Sequence, residues 1–160
     1  MRQLRTGLVS VFTACLLALA VTGIAQASAV SVKAAVKAQD KALKSSSALN
    51  SLKHIKATTP AQIKVVVGKD KALETKLNHA ATVVSQASAT GATQKQGQKD
   101  WVDSVRDISK GFGQLNIALE DAIHDKAAAA KKAEAKAENT VAAGDALGAK
   151  ANKLLGISPN

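Results

Sequence analysis

The sequence predicts an all-α fold: a signal peptide followed by an up-down bundle of three to four long helices. In two separate segments, apolar residues recur at alternating steps of three and four, as on one face of an α-helix. A threonine–proline start signal precedes one of these segments, and an alanine- and lysine-rich stretch of high helix propensity closes the chain. These patterns favour one helical domain with one core.

Residues 1–27 have the pattern of a secretory signal peptide. Arg2 and Arg5 give a positive start, and a long uncharged apolar stretch follows. The small-x-small sequence Ala25-Gln26-Ala27 then predicts cleavage before Ser28. We therefore expect a secreted protein, either extracellular or associated with the cell wall.

Two alternatives to simple cleavage stay open. The apolar stretch is just long enough to remain as a membrane anchor, and Cys15 could be acylated as in a lipoprotein. We expect the mature chain, residues 28–160, to be a single helical-bundle domain without a stable membrane span. It contains no cysteine, which excludes disulfides and thiolate chemistry.

The charge of the mature chain is strongly positive but unevenly distributed. Residues 28–160 carry 20 Lys and Arg against 12 Asp and Glu, whereas residues 99–125 alone have a net charge of −3. An acidic helix among basic ones indicates that charge helps to order the helices within the bundle. The functional alternative is that exposed lysines bind a polyanion.

The first two helices are separated by a helix-start signal. Thr59 can cap the amino terminus, Pro60 suits the first helical position, and Gln62 can complete a capping box. We expect a first helix over residues 30–56, interrupted by a serine triplet without ending there, and a second over residues 60–89.

The apolar seam of the second helix contains one charged residue, Asp70. The seam positions are Val66, Asp70, Leu73, Leu77, Ala80, Val84 and Ala87. Asp70 could lie at the end of the bundle or snorkel to solvent, or pair in the core with a lysine that fixes the helix register. We favour these roles over that of a catalytic acid.

A loop over residues 90–98 and a third helix capped by Asp100 come next. Its seam is the most regular in the chain: Trp101, Val105, Ile108, Phe112, Leu115, Leu119 and Ala122. Gly111 and Gly113 on this helix indicate either close approach of a neighbouring helix or a hinge.

The alanine- and lysine-rich segment 126–155 can be placed in two ways. It either continues the third helix, giving one helix over residues 100–155, or folds back after a turn near residues 124–126. Because the resulting helices have matching lengths, we favour folding back into a four-helix bundle. Gly156 and Pro159 then end the last helix.

No catalytic, cofactor or metal site is predicted, so we do not expect an enzyme. His54, His79 and His124 cannot all converge, and a His54–His124 pair would make only a weak metal site. The candidate binding residues are the exposed lysines of the first and last helices: Lys33, Lys37, Lys41, Lys44, Lys131, Lys132 and Lys136. The expected partner is an unknown protein or an anionic envelope polymer, and export disfavours nucleic acid.

The layout of the chain resembles that of the small secreted helical proteins of actinobacteria. The shared features are a leader, Lys- and Ala-rich helices, a Thr-Pro-x-Gln cap, a Trp-bearing third helix and a last helix that ends in Leu154-Leu155-Gly156. The tract 126–136 also resembles the basic tails of heparin-binding adhesins and linker histones. The first resemblance implies a secreted or envelope-associated helical protein that acts by binding, and it brings no site residues. The second implies, as the alternative function, an extracellular polyanion-binding module.

Overall fold

The computed structural model describes residues 30–47 and 59–158, and this part of the chain is helical apart from short connections. Its four helices are α1 (Val32–Lys44), α2 (Pro60–Ser85), α3 (Gly91–Ile123) and α4 (Ala127–Leu155). The predicted all-α bundle is confirmed. The predicted signal peptide, residues 1–27, lies outside the described residues.

Helix α3 lies at the centre and is antiparallel to α4. Gly97 near the start of α3 packs against Leu155 at the end of α4, and Gly111 further along α3 packs against Val141. The turn over residues 124–126 that reverses the chain contains Asp125 in the left-handed conformation, which aspartate tolerates better than most residues. The predicted fold-back is therefore confirmed, and a single helix over residues 100–155 is excluded.

Helix α2 is antiparallel to α3 on another face, and α1 packs at the end where α2 and α3 meet. The backbone at Ser31, which caps α1, forms an isolated parallel bridge with Ser88 in the α2–α3 connection. At the other end of α1, the Lys76 ammonium donates to the Ser46 hydroxyl at 3.2 Å. Helix α1 thus covers only the half of α2 that leads into the connection.

The start of α2 is the predicted capping box. The Thr59 hydroxyl accepts from the Gln62 backbone N–H at 3.3 Å, and the Gln62 side chain accepts from the Thr59 N–H at 3.1 Å. The helix ends at Ser85, before the expected position near Ala89. Its last carbonyl groups are capped from α3, because Gln98 Nε2 lies 2.7 Å from the Val84 oxygen.

The predicted loop over residues 90–98 is wrong, because α3 already begins at Gly91. The Gln94 side chain accepts from the Thr90 backbone N–H at 3.0 Å and so ties the first turn of α3 to the residue that precedes it. Asp100, expected as the cap, instead lies inside the helix and is buried. The polar side chains that led to the loop prediction make hydrogen bonds within α3 and to the end of α2.

The first helix ends at Lys44 rather than near residue 56. The Ser45 hydroxyl donates to the Ala42 carbonyl oxygen at 3.3 Å, the group that the Ser46 backbone N–H would use in a continuing helix, and this N–H binds the Leu43 oxygen instead. The serine triplet therefore ends α1. Residues 48–58, which include the remaining apolar positions expected of this helix, lie outside the described part.

The predicted seams of α2 and α3 form most of the core. Leu77 and Val105 are completely buried, and Trp101 is 1% exposed. Val141, Ala151 and Leu155 of α4 complete the core from the other side of α3. None of the helices in the described ranges combines the length and the apolar character needed to cross a membrane.

The close approach of α3 and α4 depends on glycine residues at their interface. A Cβ atom on Gly144 would lie 2.9 Å from the Ser104 backbone oxygen, and one on Gly111 would collide with Val141. The close-approach interpretation of Gly111 is confirmed. Gly113 differs, because its nearest neighbour, the Glu74 carboxylate, lies at an ordinary contact distance of 3.6 Å from its Cβ position.

Gly144→Ala should destabilise the protein by about 1–3 kcal/mol, since the added methyl group would force α4 away from the α3 backbone. The matched control is Gly68→Ala on α2, whose Cβ would meet nothing within 4 Å. Because alanine favours helix over glycine, this control should gain about 0.5–1 kcal/mol. Urea denaturation measures both, and equal effects would contradict the close packing of α3 on α4.

Candidate functional site: a basic groove between α3 and α4

The lysines predicted to bind a polyanion lie in two separate groups. Lys33, Lys37, Lys41 and Lys44 are on α1, and Lys131, Lys132 and Lys136 are on the first half of α4. The Lys33 ammonium lies 3.5 Å from the Cβ position of Gly156, at the end of α4. Because Lys136 precedes Gly156 by 20 residues, the nearest lysine of the α4 group lies about 30 Å from Gly156 along the helix axis.

Two of the α4 lysines face a third lysine across an open groove. Lys132 and Lys136 line the groove from α4 and Lys110 lines it from α3, around a volume of about 560 Å³. The other lining residues are Asp107, Ala135, Asn139, Thr140 and Ala143. Sequence analysis missed Lys110, which lies in the acidic segment. The available signal was its neighbour Gly111, which marks where α3 contacts α4.

The three groove lysines are not neutralised by ion pairs within the described ranges. The ion pairs found there use other lysines: Lys71, Lys99, Lys126 and Lys150. Asp107 is the one acidic side chain that lines the groove in this part of the chain, so the lining residues carry a net charge of about +2. The groove therefore presents positive charge to solvent.

The groove is fixed by hydrogen bonds near its α4 wall. The Thr140 hydroxyl lies 2.8 Å from the Lys136 carbonyl oxygen and 3.1 Å from Oε1 of Gln114, which α3 contributes. Gln114 is 9% exposed, so this contact ties the groove to the packed interface. Lys110, Lys132 and Lys136 are all exposed.

The chemistry of this arrangement suits anionic groups on a repeating polymer. Lys132 and Lys136 are one helical turn apart, a separation of about 6 Å between Cβ atoms, and Lys110 approaches from the facing helix. Lysine ammonium groups act as point charges with three donors each, and they do not require the planar fork geometry that arginine imposes. The groove can therefore bind several phosphate, sulfate or carboxylate groups without a fixed orientation.

Further along α3 and α4, a buried carboxylate joins the same two helices. Lys150 pairs with Asp100 at 2.8 Å, and Gln96 Nε2 donates to Asp100 at 2.6 Å. The hydrogen bond from Lys150, opposed by burial, holds the pKa of Asp100 below its usual value. Asp100 is therefore a structural contact between helices rather than a helix cap.

A second buried carboxyl group, Asp40, connects α1 to α3. Trp101 Nε1 donates to Asp40 Oδ1 at 3.2 Å, and Asp40 is 6% exposed. Burial raises the pKa of Asp40 to about 7, although the Trp101 hydrogen bond and the charge of Lys44 lower it. This group changes charge near neutral pH and touches the only tryptophan in the sequence.

Asp70, the charge in the seam of α2, is completely buried. Within the described ranges, neither carboxyl oxygen has a hydrogen-bond partner and no lysine forms an ion pair with Asp70. Burial, and then the charge of Glu74, raises the pKa of Asp70 to about 8. We expected Asp70 to lie at the end of the bundle, to reach solvent or to pair with a lysine. Within the described residues, it does none of these.

The histidines do not form a metal site in the part of the chain that the structure describes. His79 and His124 are exposed, and His54 lies outside the described residues. No group of three His, Cys, Asp or Glu side chains there is placed to hold a metal ion. Ser46, which Lys76 contacts, is 4% exposed, so this serine–lysine contact fastens α1 to α2 and presents no accessible hydroxyl.

The comparisons with known proteins give no relative from which a function could be transferred. The chain matches no protein-family model, no curated protein and no solved structure.

Asp70→Asn should reduce the dependence of stability on pH. Buried Asp70 stays protonated until about pH 8, whereas in the unfolded chain it ionises near its ordinary value of 3.8. Its contribution to stability is therefore fully present below about pH 4 and is lost as the pH rises to about 8. Urea denaturation in metal-free buffer should show the variant losing several kcal/mol less than wild type over this range, while the loss caused by Asp40 remains in both. Exposed Asp125→Asn, the control, should follow wild type.

Asp40→Asn should remove a titration that Trp101 reports. Because Asp40 ionises at a pKa of about 7 and accepts from Trp101 Nε1, the tryptophan fluorescence of wild type should change with a midpoint near pH 7. The control is Asp107→Asn, which changes a carboxylate of α3 that lines the groove. It should keep this midpoint. A fluorescence midpoint that survives in Asp40→Asn would contradict the assignment.

Proposed function

We propose that the protein is exported and acts by binding rather than by catalysis, with the basic groove as its site for an anionic polymer outside the cell. The observation that carries this proposal is the convergence of Lys110, Lys132 and Lys136 on one open groove. No carboxylate within the described ranges pairs with any of them. The signal-peptide pattern of residues 1–27 supports the extracellular location.

The surface chemistry favours a non-nucleic-acid polyanion. Proteins that bind single strands stack bases on exposed aromatic rings. Trp101 and Phe112, the aromatic residues of the described ranges, are 1% and 5% exposed and belong to the core. A sulfated, phosphorylated or carboxylated envelope polymer needs only charge, which the groove supplies.

A second candidate is a secreted helical binding or structural protein without a dedicated polyanion site. Its support is that three lysines pair with acidic residues at or near the face of α3: Lys71 with Glu120, Lys126 with Asp121 and Lys150 with Asp100. These pairs use charge to order the bundle, as the acidic segment suggested. None of the seven lysines predicted from the sequence to bind a polyanion takes part in them.

The test compares two triple variants of equal charge. Lys110, Lys132 and Lys136 are replaced by Gln in one, and the exposed α1 residues Lys33, Lys37 and Lys41 are replaced by Gln in the other. Glutamine has nearly the helix propensity of lysine, so both should fold. With a fluorescently labelled heparin oligosaccharide as the probe, we expect the groove variant to lose about 10- to 100-fold in affinity and the α1 variant less than about threefold.

The salt dependence supplies a second readout. The affinity of wild type should fall steeply with ionic strength, and the slope of log affinity against log salt should become shallower in the groove variant. Equal losses in the two variants would show that net charge alone attracts the probe. That outcome would favour the second candidate.

A further inference from the structure

A cluster of buried oxygen atoms lies between α2 and α3, away from the groove. Both carboxyl oxygens of Asp70 and Oδ1 of Asn116 are buried and have no hydrogen-bond partner among residues 30–47 and 59–158. Asp70 is 0% exposed and Asn116 is 4% exposed. A buried polar atom without a partner costs about 1–3 kcal/mol, so several such atoms in one region require an explanation.

Glu74 connects the two residues. It follows Asp70 by one turn of α2, and its Oε1 accepts from Asn116 Nδ2 at 2.7 Å. This hydrogen bond directs the Asn116 amide nitrogen toward Glu74 and leaves the amide oxygen as a further acceptor. The positive charge that lowers the pKa of Glu74 is that of Lys71, which is exposed and lies 3.7 Å from Glu120.

Acceptors outnumber donors in this cluster. The carboxyl groups of Asp70 and Glu74 offer only acceptors when ionised, and the Asn116 amide already donates to Glu74. A proton on Asp70 satisfies one oxygen, and a water molecule donates to two. A divalent cation can engage all of them and also balances the two negative charges.

We propose that Asp70, Glu74 and Asn116 form a site for a hard divalent cation of the Ca²⁺ class. Carboxylate and amide oxygens are the ligands that Ca²⁺ prefers, and Ca²⁺ tolerates the irregular geometry that three side chains from two helices provide. With so few protein ligands, the expected dissociation constant is about 10⁻⁴–10⁻³ M. The cation site lies between α3 and α2, whereas the basic groove lies between α3 and α4. This proposal is therefore independent of the proposed function.

The experiment measures the thermal unfolding of the full chain with Ca²⁺ at about 10 times the expected dissociation constant, against NaCl of equal ionic strength. At pH 8 we expect Ca²⁺ to raise the midpoint of wild type by about 3–6 °C. Since a cation must displace the proton from Asp70, the increase should be smaller at pH 6, and calorimetry in two buffers should show proton release on binding.

Asp70→Asn and Asn116→Leu test the ligands separately. Both should lose the Ca²⁺-dependent increase, and Asp70→Asn should also lose the proton release. Glu138→Gln, an exposed carboxylate on α4, is the control and should respond as wild type does. The proposal is wrong if neither Ca²⁺, Mg²⁺ nor Mn²⁺ raises the midpoint of wild type above the NaCl reference, or if Asp70→Asn keeps the full response.

Discussion

The contact between α3 and α4 is the constraint on which the other features of this bundle depend. The two helices approach so closely that a methyl group at Gly144 would lie within 3 Å of the opposing backbone. This packing brings Lys110 next to Lys132 and Lys136 although the three charges repel one another. The glycine-containing interface between α3 and α4 therefore keeps these three lysines together. Isolated helices would move apart under the same repulsion.

The side of α3 that faces α1 and α2 contains buried carboxyl groups instead of exposed lysines. There the core contains carboxyl groups at Asp40 and Asp70, both with a pKa raised by burial. Their desolvation reduces the stability that the aliphatic core provides, because a well-packed apolar side chain would cost less. Such residues give the core a response to protons that a core of leucine and valine does not have.

The sequence predicted well what periodicity and local capping determine. The Thr59–Gln62 capping box and the seams of α2 and α3 follow from residues near one another in the chain, whereas the turn before α4 was inferred from matching helix lengths. It predicted poorly what depends on distant partners. Gln98 belongs to a helix because it caps the far end of α2, and Lys110 belongs to the groove because Gly111 contacts α4. The same reason hid the acceptor cluster, since Asn116 and Glu74 meet only when α2 packs on α3.

The position of the described chain ends gives the bundle a polarity. Ser31, at the start of α1, and Gly156, after α4, lie at the same end, where the Lys33 side chain reaches Gly156. The groove lysines Lys136 and Lys132 lie about 30 and 36 Å from that end along the axis of α4. A protein tethered to a surface near Ser31 or Gly156 would therefore hold these lysines well clear of the attachment point. Immobilisation at that end is compatible with capture of a long polymer along the groove.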